Sequence, residues 1–326
     1  MLSDGVLAGD VRAVARACRR IDERAAGFAE LVAELFPHAG RGRVLGITGS
    51  PGAGKSTLTD GLISLLRQRG ERVGVIAVDP SSPFTGGALL GDRIRMQGHS
   101  GDAEVFIRSV ATRGAHGGVS RSAAELVTVL QAWGASSVIV ETVGVGQAEL
   151  DVLGMVDTLA VVVVPGMGDE VQANKAGILE AADVLVLNKA DHQGVDAAEH
   201  ELAFAMSLGS EAVATSRAAA TQRASRAAGW VPPIVRCVAS RREGLPQLLD
   251  SLDAHGHWLS ATQAGQGHRR SRGRHHFSAV LRELLADAVV QEQGARRDAL
   301  LDDLLERRTS PTAAAEALLA AYRSQH

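Results

Sequence analysis

Residues Gly49-Ser50-Pro51-Gly52-Ala53-Gly54-Lys55-Ser56 set three glycines, a lysine and a hydroxyl at the spacing of a phosphate-binding loop. The glycines let backbone N–H groups converge on phosphate oxygens, and the N-terminus of a following helix adds positive potential. Lys55 is expected to reach the outer phosphates and Ser56 to ligate Mg²⁺. The candidate nucleotide contacts run from Gly49, Ser50, Pro51, Gly52, Ala53 and Gly54 through Lys55 and Ser56 to Thr57. The alternative is a glycine-rich strand-to-helix turn with no ligand, but the flanks favour a phosphate site. The apolar run Val44–Ile47 precedes the loop, and Leu58, Leu62, Leu65 and Leu66 follow at helical spacing between Thr57 and Arg69.

A second motif selects the base. Asn188-Lys189-Ala190-Asp191 follows the apolar run Val184–Leu187. In this N-K-x-D pattern the Asp carboxylate accepts two hydrogen bonds from guanine, which adenine cannot supply, while Asn and Lys brace the pocket. A polar turn after a strand is the alternative. Downstream, Cys237-Val238-Ala239 is placed to offer the Ala239 backbone N–H to a guanine carbonyl, so Val238 and Ala239 join the candidate base contacts.

Three carboxylates complete the set. Asp79 and Glu141 end predicted strands, where ligands of open α/β sheets sit, and Asp92 lies in a glycine-bearing loop after Asp79. Hard oxygen ligands suit Mg²⁺, so Ser56, Asp79, Asp92 and Glu141 form the candidate metal set. Helix caps or surface charges are the plainer readings of these acids. Glu141-Thr142-Val143-Gly144 resembles a D-x-x-G switch with Glu for Asp, and Gly144 could present its N–H to the γ-phosphate. Gln147 is a candidate for positioning water, and Lys55, Glu141, Asp92 and Gln147 make up the candidate catalytic set.

These residues need a sheet to hold them. Strands are predicted at Val44–Thr48, Val73–Val78, Val105–Arg108, Ser137–Glu141, Thr158–Val164, Val184–Leu187 and Ile234–Val238. Several are continuous apolar runs, as when helices cover both sheet faces. The expected fold is therefore α/β: a doubly wound, mostly parallel P-loop sheet with N-terminal and C-terminal helical extensions. Residues 1–40 read as an N-terminal helical segment, 41–260 as the nucleotide domain and 261–326 as a helical arm.

In the first segment Val11, Val14, Cys18 and Ile21 share a face, so Cys18 reads as a core residue. Pro37-His38-Ala39-Gly40 marks a hinge, and Glu211 to Ala228 reads as an alanine-rich helix. Gln263 to Gly273 is polar and arginine-rich and reads as a linker. Phe277, Val280, Leu281, Leu284, Leu285, Ala288 and Val289 then form an apolar helical stripe, and a second helix carries Leu300, Leu301, Leu304 and Leu305. Ser310-Pro311 is a helix-start signal for a last helix through Tyr322. The arm must bury its stripes against a partner subunit, giving a homodimer, or against its own parent domain.

Composition narrows the class. Lys and Arg number 34 against 37 Asp and Glu, so a net charge of −3 gives no general affinity for nucleic acid. Two cysteines, Cys18 and Cys237, make no disulfide or zinc framework. No apolar run is long enough to cross a bilayer, no signal-like segment opens the chain, and a cytoplasmic location is expected.

Further blocks are more specific. Val78-Asp79-Pro80-Ser81-Ser82-Pro83, Gly86-Gly87, Leu90-Gly91-Asp92-Arg93, Phe106-Ile107-Arg108-Ser109, Thr112-Arg113-Gly114, Gly117-Gly118-Val119-Ser120 and Glu141 through Gln147 resemble the MeaB/MMAA/ArgK family over roughly residues 5–250. These are G-protein chaperones of adenosylcobalamin-dependent methylmalonyl-CoA mutase, in the SIMIBI class of nucleotide-switched P-loop dimers. The resemblance implies GTP/GDP and Mg²⁺ as cofactors, with no cobalamin held directly. It places the positions of Asp79, Asp92 and Glu141 in the Mg²⁺ and nucleotide site. It implies a cobalamin-dependent acyl-CoA mutase as partner, with a cobalamin adenosyltransferase as a further candidate. Gly168-Asp169-Glu170-Val171-Gln172 with Lys175 resembles a switch that relays nucleotide state, a plain helix start being the alternative. The family's Thr-Ser-Ala guanine loop is replaced by Cys237-Val238-Ala239, and the likeness weakens from Gly265.

Other classes stay in view. A transport-system kinase is argued against by Asn188 through Asp191, and a nickel-type insertion GTPase by the lack of cysteines near His255, His257, His268, His275 and His276, which read as solvated. Arg93, Arg95, Arg108 and Arg113 are candidate arginine fingers. The run Arg269 to Arg274 lacks interleaved aromatics, so it reads as a solvated or protein-docking strip rather than a nucleic-acid site; no membrane partner is expected.

Overall fold

A computed structural model of the chain describes residues 1–79, 97–99, 101–111, 118–142, 154–166, 178–179, 181–208 and 229–324. Two compact units emerge, Met1–Gly273 and Arg274–His326.

The first unit is built on seven parallel strands: β1 Arg43–Gly49, β2 Val73–Asp79, β3 Val105–Ala111, β4 Ser137–Thr142, β5 Thr158–Val163, β6 Val184–Leu187 and β7 Ile234–Arg236. All seven predicted strands form, each within a few residues of its expected ends. The sheet order is β3-β2-β4-β1-β5-β6-β7. Strands β4, β5 and β6 are buried at every position, as the uninterrupted apolar runs demand when helices cover both faces. β1 connects to β2 on one side of the sheet while its neighbour β5 connects to β6 on the other, and this reversal opens a crevice at the carboxyl ends of the central strands.

Helices make the two covering layers. On one face lie α1 Leu2–Leu7, α2 Val11–Asp22, α3 Phe28–Leu35 and α5 Gly118–Ala132, whose buried side chains include Val14, Ile21, Leu35, Leu126 and Leu130. On the other lie α4 Lys55–Gln68 and α7 Leu245–Ala261, burying Leu58, Leu62, Leu245 and Leu249. A further helix, α6, spans Val195–Leu208. The hinge after α3 is clasped by Gln131, whose side chain accepts from Gly40 N–H at 2.9 Å and donates to Gly42 O at 2.8 Å. Cys18 is fully buried, and burial pushes its thiol up to about 12, as a core residue requires.

One segment departs from expectation. Residues 263–273 are helical, forming the start of α8 Gln263–Glu292, not a linker. Arginine is a good helix former, no proline interrupts the stretch, and Thr262 Oγ1 accepts the Gly265 N–H at 3.0 Å to start the helix. In the second unit α9 Gly294–Leu305 precedes α10 Pro311–Arg323, and the expected cap forms: Ser310 Oγ accepts the Ala313 N–H at 3.2 Å. Phe277, Leu281, Leu284 and Leu285 are exposed in this unit. Among the described residues no helix is long and apolar enough to cross a membrane. The predicted helix at 211–228 lies outside the described residues.

Candidate functional site

The crevice is assembled from strand ends. β1 delivers the loop 49–54 directly, because Gly49 is its last residue. At Gly49 (φ +146°) a Cβ would stand 2.1 Å from Val162 O of β5, so only glycine lets the loop leave the sheet there. Gly54 (φ +89°) caps α4, and a Cβ on it would meet Asn188 Nδ2 at 2.4 Å. This second close approach joins the phosphate loop to the base motif.

Lys55 is the first residue of α4 and is only 6% exposed. Its ammonium donates to Gly49 O at 2.9 Å and Ser50 O at 3.0 Å, so it lies across the loop it belongs to. A phosphate entering the loop would meet this charge and the amino end of α4 together. Beside it the Ser56 hydroxyl donates to Glu141 Oε1 at 2.7 Å, both residues being buried. Register explains the pairing: Glu141 sits opposite Ile47 on the strand next to β1, and so faces the first turn of α4. One residue on, Thr142 Oγ1 donates to Thr48 Oγ1 at 2.8 Å, a link between the two strand ends that sequence patterns gave no sign of.

Asn188 joins the two halves of the site. It is buried, donates from Nδ2 to Ala53 O at 2.7 Å and accepts the Ala239 N–H on Oδ1 at 3.0 Å. The base motif is therefore tied both to the phosphate loop and to the loop after β7. The second bond also corrects an expectation: the Ala239 N–H donates to Asn188 instead of facing an open base pocket. Ala190 N–H donates to Cys237 O at 3.0 Å, closing the two loops together. Lys189 adopts φ +55°, a conformation uncommon outside glycine and concentrated at functional turns. Asp191 follows, one third exposed, with Arg241 Nη1 3.4 Å from its Oδ2. Burial pushes the Cys237 thiol up to about 12, so this cysteine behaves as an inert packing residue beneath the loop. Val238 is buried and pairs with Glu243 in an isolated antiparallel bridge.

Of the predicted site residues, the structure brings Gly49, Ser50, Pro51, Gly52, Ala53, Gly54, Lys55, Ser56, Thr57, Glu141, Asn188, Lys189, Asp191, Val238 and Ala239 to one end of the sheet. Asp79 ends β2 on that side, but its side chain is outside the described residues, as are Asp92, Gly144, Gln147 and the stretch from Gly168 to Lys175. Arg93, Arg95 and Arg113 are likewise outside. Arg108, a candidate arginine finger, donates from both Nε (2.9 Å) and Nη2 to Asp22 at the end of α2. His255, read from sequence as solvated, is fully buried. Thr158 Oγ1 lies 2.8 Å from its Nδ1, Asp183 Oδ1 lies 3.4 Å from its Nε2, and the Trp230 and Trp258 rings pack against it. The apolar spacing of Leu248, Leu252, His255 and Leu259 along α7 puts it on the inward face, a signal available in the sequence.

Comparison with known proteins fits this geometry. The family described as methylmalonyl-CoA mutase-associated GTPase MeaB matches residues 12–296. A Pyrococcus abyssi protein carrying a GTPase name is 44% identical over 281 residues, covering 86% of this chain and 83% of its own. The mouse methylmalonic aciduria type A homolog, described as mitochondrial, is 33% identical over 86% of this chain and 66% of its own. The crystal structure of an LAO/AO transport system kinase superposes with a TM-score of 0.67 at 26% identity, covering 99% of this chain and 96% of that one. By sequence and fold the chain belongs to the MeaB family and is a P-loop GTPase.

Proposed function

We propose that this GTPase is a nucleotide-switched chaperone of an adenosylcobalamin-dependent acyl-CoA mutase, methylmalonyl-CoA mutase first among them, gating cofactor loading and protecting or reactivating the enzyme. The observation that carries the reading is the match of a mutase-associated GTPase family across residues 12–296, with the mouse relative in support.

The site's own residues divide the work. The loop 49–54 and Lys55 bind and orient the phosphates, and Asp191 reads guanine through its two carboxylate oxygens. The buried Ser56 hydroxyl and Glu141 carboxylate, 2.7 Å apart at a strand end, are the hard oxygens that suit Mg²⁺, with Asp79 and Asp92 completing the set. Mg²⁺ held there would supply charge neutralisation for the phosphates. The exposed stripe of Phe277, Leu281, Leu284 and Leu285 supports an arm, residues 261–326, that dimerises.

The test is GTP turnover by the purified protein, alone and with a cobalamin-dependent methylmalonyl-CoA mutase. Stimulation is expected, up to the ~10³–10⁵-fold scale on which a partner's arginine finger acts on slow GTPases. An unchanged rate at saturating mutase, with no complex by gel filtration, would rule the partner out and leave the GTPase.

A further inference from the structure

Arg241 stands out because it is charged, exposed and yet held in one place beside the base-reading motif. It lies on the turn 238–243, which closes on itself: Val238 N–H donates to Glu243 O at 3.0 Å, Glu243 N–H to Val238 O at 3.3 Å and Arg241 N–H to Val238 O at 2.9 Å. Arg242 takes the left-handed position of the turn at φ +58°. The Arg241 guanidinium is gripped by Glu243 through Nε–Oε1 at 2.9 Å and Nη2–Oε2 at 3.3 Å, a fork-to-fork pair. That grip leaves Nη1 directed at Asp191 Oδ2, 3.4 Å away.

We propose that Arg241, clamped by Glu243, is a positioning residue that sets base specificity by fixing the orientation of the Asp191 carboxylate. The inference rests on the reading that Asp191 accepts the guanine N–H groups. A carboxylate offers about four lone-pair sites, so one can take the arginine while the two oxygens still face a base. Held through Oδ2, the carboxylate has one orientation in which to meet the guanine ring nitrogen and exocyclic amine together. Freed, Asp191 rotates about its side-chain bonds and satisfies one base donor at a time. The arginine therefore acts on the second hydrogen bond, the one that separates guanine from a base without the exocyclic amine. A lysine cannot take its place, because an ammonium lacks the fork that Glu243 holds.

The experiment measures Kd for GDP and IDP, together with kcat at saturating GTP, in wild type, Arg241→Ala, Arg241→Lys and Glu243→Gln. In Arg241→Ala, GDP binding is expected to weaken about three- to fivefold, the scale of an exposed ion pair, with IDP weakened less and kcat unchanged. Arg241→Lys should restore little, and Glu243→Gln should shift the GDP:IDP ratio in the same direction by a smaller factor. A GDP:IDP ratio equal to wild type in Arg241→Ala overturns the proposal, whether or not overall stability drops. Asp191→Asn tested against XDP separates the two ideas. A preference moved to XDP keeps Asp191 as the base reader whatever Arg241 does, and no such move removes the reading beneath the proposal.

Discussion

The two ends of the sheet use their polar groups in opposite ways. At the carboxyl end Lys55 is satisfied by carbonyls of its own loop, and Ser56 by Glu141. Each of these partners is one that a phosphate or a divalent cation can replace. At the amino end the partners belong to different elements and stay paired. Arg43, the first residue of β1, pairs with Asp253 of α7 and with Glu71, and donates to Ser137 Oγ at 2.9 Å. Asp157 accepts the Val44 N–H and Asp183 the Leu159 N–H, each at 2.8 Å. Arg72 forks onto Glu104, and His255 locks against Thr158 and Asp183. The difference teaches where stability and exchange are kept apart in one sheet: the amino end fastens strands to helices, and the carboxyl end keeps its contacts replaceable.

Substitutions should divide along the same line. Removing the charge at the open end, Lys55→Ala, is expected to cut GTP turnover at least about 100-fold, as loss of a group aimed at transferring phosphate does. The denaturant midpoint of the nucleotide-free protein should move little; a large fall in that midpoint would erase the contrast. At the closed end, His255→Ala opens a cavity and strips partners from Thr158 and Asp183. A loss of about 2–4 kcal/mol in urea unfolding is expected, with GDP affinity of the folded protein unchanged. Weakened GDP binding without loss of stability would show that the two ends are coupled.

The smallest effect is on acid stability. Hydrogen bonds from Arg67 and Arg72 hold the Asp102 and Glu104 carboxyls below their ordinary values. Burial works to raise Asp253, but hydrogen bonds from Arg69 and Arg43 outweigh it and hold that group low as well. Folded values below the unfolded ones give stability that is present above the ordinary values of 3.8 and 4.5 and is lost as pH falls through the folded values. Unfolding midpoints measured from pH 6 down to about 3 should therefore drop most steeply below about pH 4. Asp253→Asn should flatten that drop, and an unaltered profile would take Asp253 out of the account.

Much of this was written locally. The seven strands could be placed from their apolar runs because burial on both faces leaves no other composition stable, and the phosphate loop and N-K-x-D motif declare themselves within eight and four residues. The Ser310 cap was equally legible, since a cap bonds within its own first turn. Where the reading of residues erred, polarity misled: arginines and glycines suggested a linker at 263–273, and the ring of His255 suggested solvent. Both outcomes had local signals that polarity masked: a proline-free stretch of helix formers, and a histidine at the apolar spacing of Leu248, Leu252 and Leu259.

The sequence by itself determined the class of sheet, the phosphate loop, the base motif and the kinship that follows from them. Tertiary structure alone decided that Ser56 meets Glu141 across 85 positions, that Asn188 joins Ala53 and Ala239 across 135 and 51, and that Arg241 stands over Asp191 across 50. Local preference fixes which residues turn, extend or coil. Contacts between distant residues follow only from strand order and register, which arise when the whole chain packs.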